Sequence, residues 1–369
     1  MTLKVAIVGC GKIADGHVEE IQKLDDMAEV VATCDLEPTM ADQLAVRYGI
    51  ERSFADFDRM LEQVRPDVVH IATPPGAHLS LARTAIEAGC HVMVEKPLAM
   101  NLADSRSLIE WAEAHGKKLT IGWTMLFDPP ALVMRELIEQ GELGEPIHLE
   151  SYYGYDLSGA FGRALLATGE HWVHRLPGRL LHNTIDHMFN KMVEFIDDDA
   201  PEVIATGYRL RDERMGDHRD DFHDELRLIV RGRRVSAYGT FSSHVKPLAH
   251  YCRVFGTKNI LHVDYVSRTV TFDSKTQLPS AIGRLVPAFD SAVQYAQEGG
   301  RNLLRFAKSD FHFFAGLNEL FRRFYGSIRD DTSPPIPYRD ILRVAALHDA
   351  TWAQLADSDA RIARREAAQ

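Results

Sequence analysis

The stretch LKVAIVGCGKIA, residues 3–14, leaves the start of this chain few folds to choose from. A short apolar run rich in β-branched residues suits a strand buried on both faces of a parallel sheet. It ends at once in glycines. Gly9, Gly11 and Ala14 fall at the spacing G-x-G-x-x-A. There the first glycine permits a tight turn, the second lets backbone approach a pyrophosphate, and a small third residue lets helix and strand pack closely. The helix predicted next, from about Ile13 to Leu24, presents its first amides, around Lys12 and Ile13, to an anion.

The following segments agree with that start. AEVVATCD reads as a second strand ending at Asp35, where an acidic residue can accept hydrogen bonds from the ribose hydroxyls of an adenosine. A carboxylate there repels a 2′-phosphate and no Arg follows in DLEP, so NAD is expected rather than NADP. Helices then alternate with the strand-like runs DVVHIAT, CHVMVEKP and KLTIGW, the pattern of a doubly wound parallel sheet. Ligands of such sheets lie beyond the carboxyl ends of the strands. Those ends carry GCG, Asp35, Thr73-Pro74 with His78 in TPPGAH, and Glu95-Lys96-Pro97.

A chain of 369 residues is long for one core. The change of pattern after Trp123 predicts a Rossmann domain over 1–123 and an α+β domain over 124–369, its last helices folding back on the first. In the second part IHLESYYGY, EVIATGYRLR, DELRLIVRG, RVSAYGTFSS, HYCRVFGT and ILHVDYV read as strands of a large open-faced, mainly antiparallel sheet, and turn signals such as RGRR and GTKN suit a meander.

A formal net charge of −11 argues against a general affinity for nucleic acid or anionic lipid. With no apolar run approaching the ~20 residues of a membrane span and too few apolar residues before the first glycines for a secretory signal, a cytoplasmic protein is expected. The four cysteines, at 10, 34, 90 and 252, show no C-x-x-C spacing, so neither a disulfide framework nor a zinc cage is expected.

HNTIDHMFNKMVEFI, residues 182–196, is unlike an ordinary surface helix. At about 100° per residue, Leu181, Ile185, Met188, Phe189, Met192 and Ile196 form one stripe, while His182, Asn183, Asp186, His187 and Asn190 fall opposite. His182 and His187, about 140° apart, suit a shared metal ion poorly, and no metal is expected. A satisfied structural network is one reading of the arc. Proton transfer is the other, since histidine is the side chain whose ordinary pKa lies nearest neutrality. Residues 279–314 read as helical, with Glu298 and the two glycines after it breaking any long amphipathic face, and suit a subunit contact or a lid.

Taken together, GCGKIA, Asp35, TPPGAH and EKPLA resemble the glucose-fructose oxidoreductase/inositol dehydrogenase/MocA (Gfo/Idh/MocA) family of nicotinamide-dependent oxidoreductases. The resemblance continues through LIEQGELGEPIHLESYYG and HNTIDH to the C-terminal helices. It implies a cofactor site at Gly9, Gly11, Lys12, Ile13, Asp35, Thr73, Pro74, His78, Glu95 and Lys96. Lys96 would stand between nicotinamide and substrate and stabilise the reacting oxygen. The family's D-x-G-x-H falls on Asn183, Ile185 and His187, so His187 inherits the base role and Asn183 orients substrate. Thr124 and Leu126 stand where many relatives have Asn and Arg. Tyr155 and the stretch GEHWVHRLPG, with Trp172, offer stacking faces for a sugar ring, joining His182 and Asp186 as candidate substrate contacts. The expected activity is NAD-dependent oxidation of a secondary hydroxyl on a sugar, cyclitol or related polyol, in a homodimer or homotetramer built on the open sheet face. The alternatives are an enzyme that holds its NAD and oxidises transiently for epimerisation or glycoside elimination, or a cofactor-bound sensor or scaffold.

Overall fold

The computed structural model describes residues 2–167, 171–210, 223–274, 278–308, 311 and 314–366. The chain divides into two compact units, Met1–Phe127 with Phe313–Ala345, and Asp128–His312 with Ala346–Gln369. The break falls after Phe127 and not at residue 123. Thr124–Leu126 form a short 3-10 turn, and the Phe127 ring lies under the Arg323 guanidinium at 5.5 Å, which keeps this stretch in the first unit.

The first unit alternates β1 (Leu3–Val8), α1 (Lys12–Gln22), β2 (Ala28–Cys34), α2 (Pro38–Tyr48), β3 (Ser53–Phe54), α3 (Phe57–Val64), β4 (Val68–Ile71), α4 (His78–Glu87), β5 (His91–Val94), α5 (Leu102–Ala114) and β6 (Leu119–Ile121). The six strands are parallel in the order β3-β2-β1-β4-β5-β6. Strand order reverses between β1 and β4, the place where doubly wound sheets take their ligands. Val5, Ala6 and Ile7 of β1 and Val68, Val69 and Ile71 of β4 are fully buried, as strands covered on both faces require. β3, two residues long, is too short to leave a periodic signal.

The second unit opens with α6 (Pro129–Glu139), β7 (Pro146–Gly154), α7 (Ala160–Ala167), α8 (Arg179–Thr184) and α9 (Asp186–Val193). Six strands follow, β8 (Glu202–Tyr208), β9 (Glu225–Arg231), β10 (Ser236–Ser242), β11 (His250–Gly256), β12 (Asn259–Asp264) and β13 (Thr269–Ser274), and then α10 (Ser280–Ala307). The chain ends with α11 (Ala315–Arg329), which packs on α1 inside the first unit, and α12 (Tyr338–Glu366), whose residues from Ala346 on belong to the second.

The second sheet runs β13-β12-β11-β7-β10-β9-β8. It is not the predicted meander. β7 enters between the two hairpin series and pairs parallel with β10 and antiparallel with β11. Turn residues report hairpins, but they carry no information about an earlier strand inserted between them. α9 lies over β10 because Gly239 has no side chain: a Cβ there would stand 2.8 Å from Met188 Sδ and 2.9 Å from Met192 Cε. On the opposite face Ile204, Ile229 and Tyr238 share a cross-strand row and are 52%, 40% and 50% exposed, an apolar band facing outward.

Gly299 and Gly300 lie inside α10, in line with the helical reading of this segment. The helix is tied to the edge strand β13. Glu298, itself buried, accepts the Val270 N–H at 3.1 Å and pairs with Arg301, and Gln294 both accepts from the Phe272 N–H (2.8 Å) and donates to its carbonyl (3.0 Å). Side chains of α10 thus satisfy backbone groups that a sheet edge leaves open. Among the described residues no helix is long and apolar enough to cross a membrane.

Candidate active site

The glycine turn closing β1 needs its two glycines for different reasons. Gly9 has φ +88°, and a Cβ on it would lie 2.7 Å from the backbone of Ala72 and Thr73, where the chain leaves β4. At Gly11 an added Cβ meets no protein atom within 4 Å, so the protein leaves this approach to the start of α1 open. Between them the Cys10 N–H donates to Asp35 Oδ2 at 2.7 Å, while Asp35 Oδ1 accepts from the Glu37 N–H at 2.9 Å. The carboxylate at the end of β2 therefore fixes the glycine turn itself. Lys12 is exposed and Ile13 half-buried in the first turn of α1. Burial, with Asp35 and Cys34 nearby, pushes the Cys10 thiol up to about 12.

Thr73 and Pro74 follow β4 at the reversal point. Thr73 Oγ1 is buried and has no hydrogen-bond partner among the described residues. An open cradle at Gly11, an acceptor at Asp35 and an unpartnered hydroxyl at Thr73 fit a dinucleotide: α1 and Gly11 would hold its pyrophosphate and Asp35 a ribose. His78 departs from the expected cofactor contact. Its ring is fully buried, with Nδ1 2.8 Å from the Pro97 carbonyl and Nε2 2.8 Å from the Thr73 carbonyl, so it braces two loops. Burial outweighs those carbonyls and lowers its pKa, and a neutral ring donates to one of them at a time.

At the end of β5, Glu95 is buried and Lys96 half-buried, with a cis peptide between Lys96 and Pro97. Glu95 Oε2 accepts the Lys96 N–H at 3.2 Å, and Oε1 lies 3.1 Å from His17 Nε2. Burial pushes the Glu95 carboxyl up, but the hydrogen bond from His17, with Lys96 beside it, more than offsets it and leaves the group below its ordinary value. The contacts continue inward. His17 Nδ1 is 3.0 Å from His70 Nδ1, and His70 Nε2 is 2.9 Å from the Tyr325 hydroxyl. All three rings are fully buried, and Phe321 packs edge-on against both imidazoles.

Sequence reasoning missed this chain, although one signal was present. A histidine inside VVHIAT, a strand apolar on both faces, has to find a buried partner.

In the second unit the predicted single helix is two, α8 and α9, joined at Ile185. The apolar stripe is buried throughout. The opposite arc divides: His182, Asp186 and Asn190 are buried, while Asn183 and His187 are half-exposed. His182 stacks on Trp352 of α12 at 5.2 Å and meets His348 edge-on at 5.0 Å; Asp186 Oδ2 lies 3.7 Å from His348 Nε2. The substrate contacts expected at His182 and Asp186 are thus corrected to a packed polar seam under α12. The His187 ring lies 5.8 Å from Tyr153, and its carbonyl accepts from Lys191 Nζ at 2.5 Å. Lys191 is buried, 2.9 Å from His250 Nε2 and 4.5 Å above the Tyr265 ring.

Tyr155 is half-buried, its N–H bonded to the Ser242 carbonyl at 2.8 Å and its phenol pushed up to about 12 by burial and then Asp156. Trp172, half-buried in a 3-10 turn, stacks on His171 at 5.4 Å. Gly169 and Glu170 of the same stretch lie outside the described residues. Asp224, Glu225 and His244 cluster as a metal site might be built, yet their atoms are engaged: Asp224 with the Leu210 N–H (2.7 Å) and His244 Nε2 (2.6 Å), Glu225 with the Ser242 hydroxyl (2.5 Å) and Arg227 (2.9 Å).

Residues 3–123 match the model of an oxidoreductase family described as an NAD-binding Rossmann fold. Over these residues the chain is similar to the Gfo/Idh/MocA oxidoreductases. Among similar proteins, a D-glucoside 3-dehydrogenase of Escherichia coli (strain K12) is 38% identical over 144 residues, 39% of this chain and 41% of that enzyme. The chain spans about two fifths of the length of the first curated relatives it matches, 41% and 44% of theirs. A myo-inositol 2-dehydrogenase of Thermotoga maritima is 26% identical over 270 residues, 72% of this chain and 77% of that enzyme. The fold matches that of the WlbA dehydrogenase from Bordetella pertussis, solved with NADH and UDP-GlcNAcA, with TM-score 0.77 and 21% identity over 97% of this chain and 96% of that one.

Proposed function

We propose that this chain is an NAD-dependent dehydrogenase acting on a secondary hydroxyl of a sugar, cyclitol or related polyol. The observation that carries the reading is Lys96 at the carboxyl end of β5. Its backbone N–H is held by a buried Glu95, in the sheet whose β1 ends in the open Gly11 turn. Dehydrogenases of a glucoside and of inositol among the similar proteins support the substrate class.

When bound, NAD supplies the hydride acceptor. Lys96 donates a hydrogen bond to the reacting oxygen and stabilises the negative charge that grows there. His187 takes the hydroxyl proton, an imidazole being the base whose ordinary pKa lies nearest neutrality. Asn183, one turn before it and also accessible, orients the substrate hydroxyls. Asp35, an acceptor without a basic neighbour in DLEP, favours a free 2′-hydroxyl over a 2′-phosphate, hence NAD over NADP. The outward band of Ile204, Ile229 and Tyr238 supports assembly of copies through the second sheet. A change in oligomer mass on Ile229→Asp, read by light scattering, tests that part.

The test of function is a screen of sugars and cyclitols for steady-state NADH formation, run on the wild type and on Lys96→Ala. The variant is expected to lose about a hundredfold or more in kcat while binding NAD as the wild type does by calorimetry. A protein that binds NAD but releases no NADH with any of them overturns the reading.

A further inference from the structure

We propose that Tyr325, His70 and His17 form a one-directional hydrogen-bond chain that holds Glu95 as the fixed counter-charge to Lys96, making all three positioning residues for the proposed reaction. The direction follows from counting protons. Two imidazole Nδ1 atoms 3.0 Å apart can share only one proton, so one ring donates and the other accepts. If His17 donated, His70 Nε2 would carry the next proton and point it at the Tyr325 oxygen. The phenolic O–H would then be buried with no other acceptor among the described residues, a costly arrangement.

The opposite direction leaves no donor idle. The Tyr325 hydroxyl donates to His70 Nε2, His70 Nδ1–H donates to His17 Nδ1, and His17 Nε2–H donates to Glu95 Oε1. Each link fixes the tautomer of the next, so the ring at the core end determines that the carboxylate receives a proton donor and not a lone pair. The charged and titratable groups facing Glu95 are His17 from α1, Lys96 on its own turn and His78 from α4, with His70 of β4 and Tyr325 of α11 acting through His17. An ionised Glu95 beside Lys96 favours the ammonium form, the form that donates to a reacting oxygen.

The inference rests on the dehydrogenase reading only for its kinetic arm, and its first test needs no activity. Histidine 15N NMR of the full chain at neutral pH is expected to show His70 with its proton on Nδ1 and a hydrogen on Nε2 of His17 bonded to Glu95. His70 protonated on Nε2 overturns the direction. In Tyr325→Phe, which removes one oxygen, the folded protein is expected to lose the single His70 tautomer while binding NAD as before; an unchanged His70 spectrum overturns the chain.

The kinetic arm uses the pH profile. Weakening the donation to Glu95 raises its pKa, so the step that Glu95 contributes to the acid limb of kcat is expected to move to higher pH in Tyr325→Phe, with a fall of about fivefold on that step and little change near neutrality. Glu95→Gln should abolish that step, leaving the loss of rate that comes from protonating the base, and Glu95→Asp restore part of it. An unshifted limb in Tyr325→Phe overturns the positioning role. Absence of turnover in the wild type counts against the dehydrogenase reading and leaves the spectral test standing.

Discussion

Asp35 Oδ2 accepts the backbone N–H of Cys10 at 2.7 Å, tying the end of β2 to the middle of the glycine turn. The residue read as the ribose acceptor is also the one that shapes the glycine turn. Asp35→Ala is therefore expected to weaken NAD binding beyond the loss of a single ribose contact, by more than tenfold. Calorimetry would check this; an effect confined to about threefold would assign the turn's shape to the glycines alone.

The two glycines of that turn should separate under substitution. Gly9→Ala places a Cβ 2.7 Å from the backbone at a φ of +88°, and a loss of several kcal/mol is expected. Gly11→Ala meets no protein atom and should stay within about 1 kcal/mol of the wild type while losing NAD affinity. Urea midpoints and calorimetry on the two variants provide the comparison.

Lys191 should make stability depend on alkaline pH. Burial pulls its pKa from 10.5 down to about 8 in the folded chain. Below pH 8 both states carry the charged lysine, and the fold bears the full penalty of burying it. Between about 8 and 10.5 the folded lysine is neutral while the unfolded one still binds a proton, so stability rises with pH. The gain is on the order of 1 kcal/mol per pH unit inside that window. Urea unfolding at pH 7 and 9 should show it in the wild type and not in Lys191→Met.

The four cysteines should be silent toward alkylating reagents in the native state. All are buried, and burial as the leading cause holds Cys10 and Cys34 at about 12 and Cys90 and Cys252 at about 11. Mass spectrometry after iodoacetamide at pH 8 is expected to find no label on the folded chain and four labels after denaturation. Native labelling of Cys10 would show that the glycine turn opens.

What the sequence made legible and what it hid have different physical origins. The glycine turn at Gly9 and Gly11 and the strand end before Asp35 could be read because local backbone geometry and spacing along consecutive elements set them. The stripe Leu181, Ile185, Met188, Phe189 could be read because helical period alone decides which face is apolar. The same period could not say what lies opposite His182 and Asp186, since His348 and Trp352 arrive from a helix far along the chain and turn a polar arc into interior. His78 was hidden in another way: nothing local distinguishes a ring that touches a nucleotide from one that holds two loops. The placement of β7 beside β10 was out of reach for turn chemistry, which specifies hairpins and leaves open where an earlier strand enters the sheet.

The single imidazole of His78 lies 2.8 Å from the carbonyls of both Thr73 and Pro97 and donates to one of them at a time. The loop of Thr73 and the turn of Lys96 thus share one mount, and heat that loosens the mount is expected to unseat both. Gradual warming should erode affinity and turnover in step, with a common onset below the temperature at which the sheet itself melts.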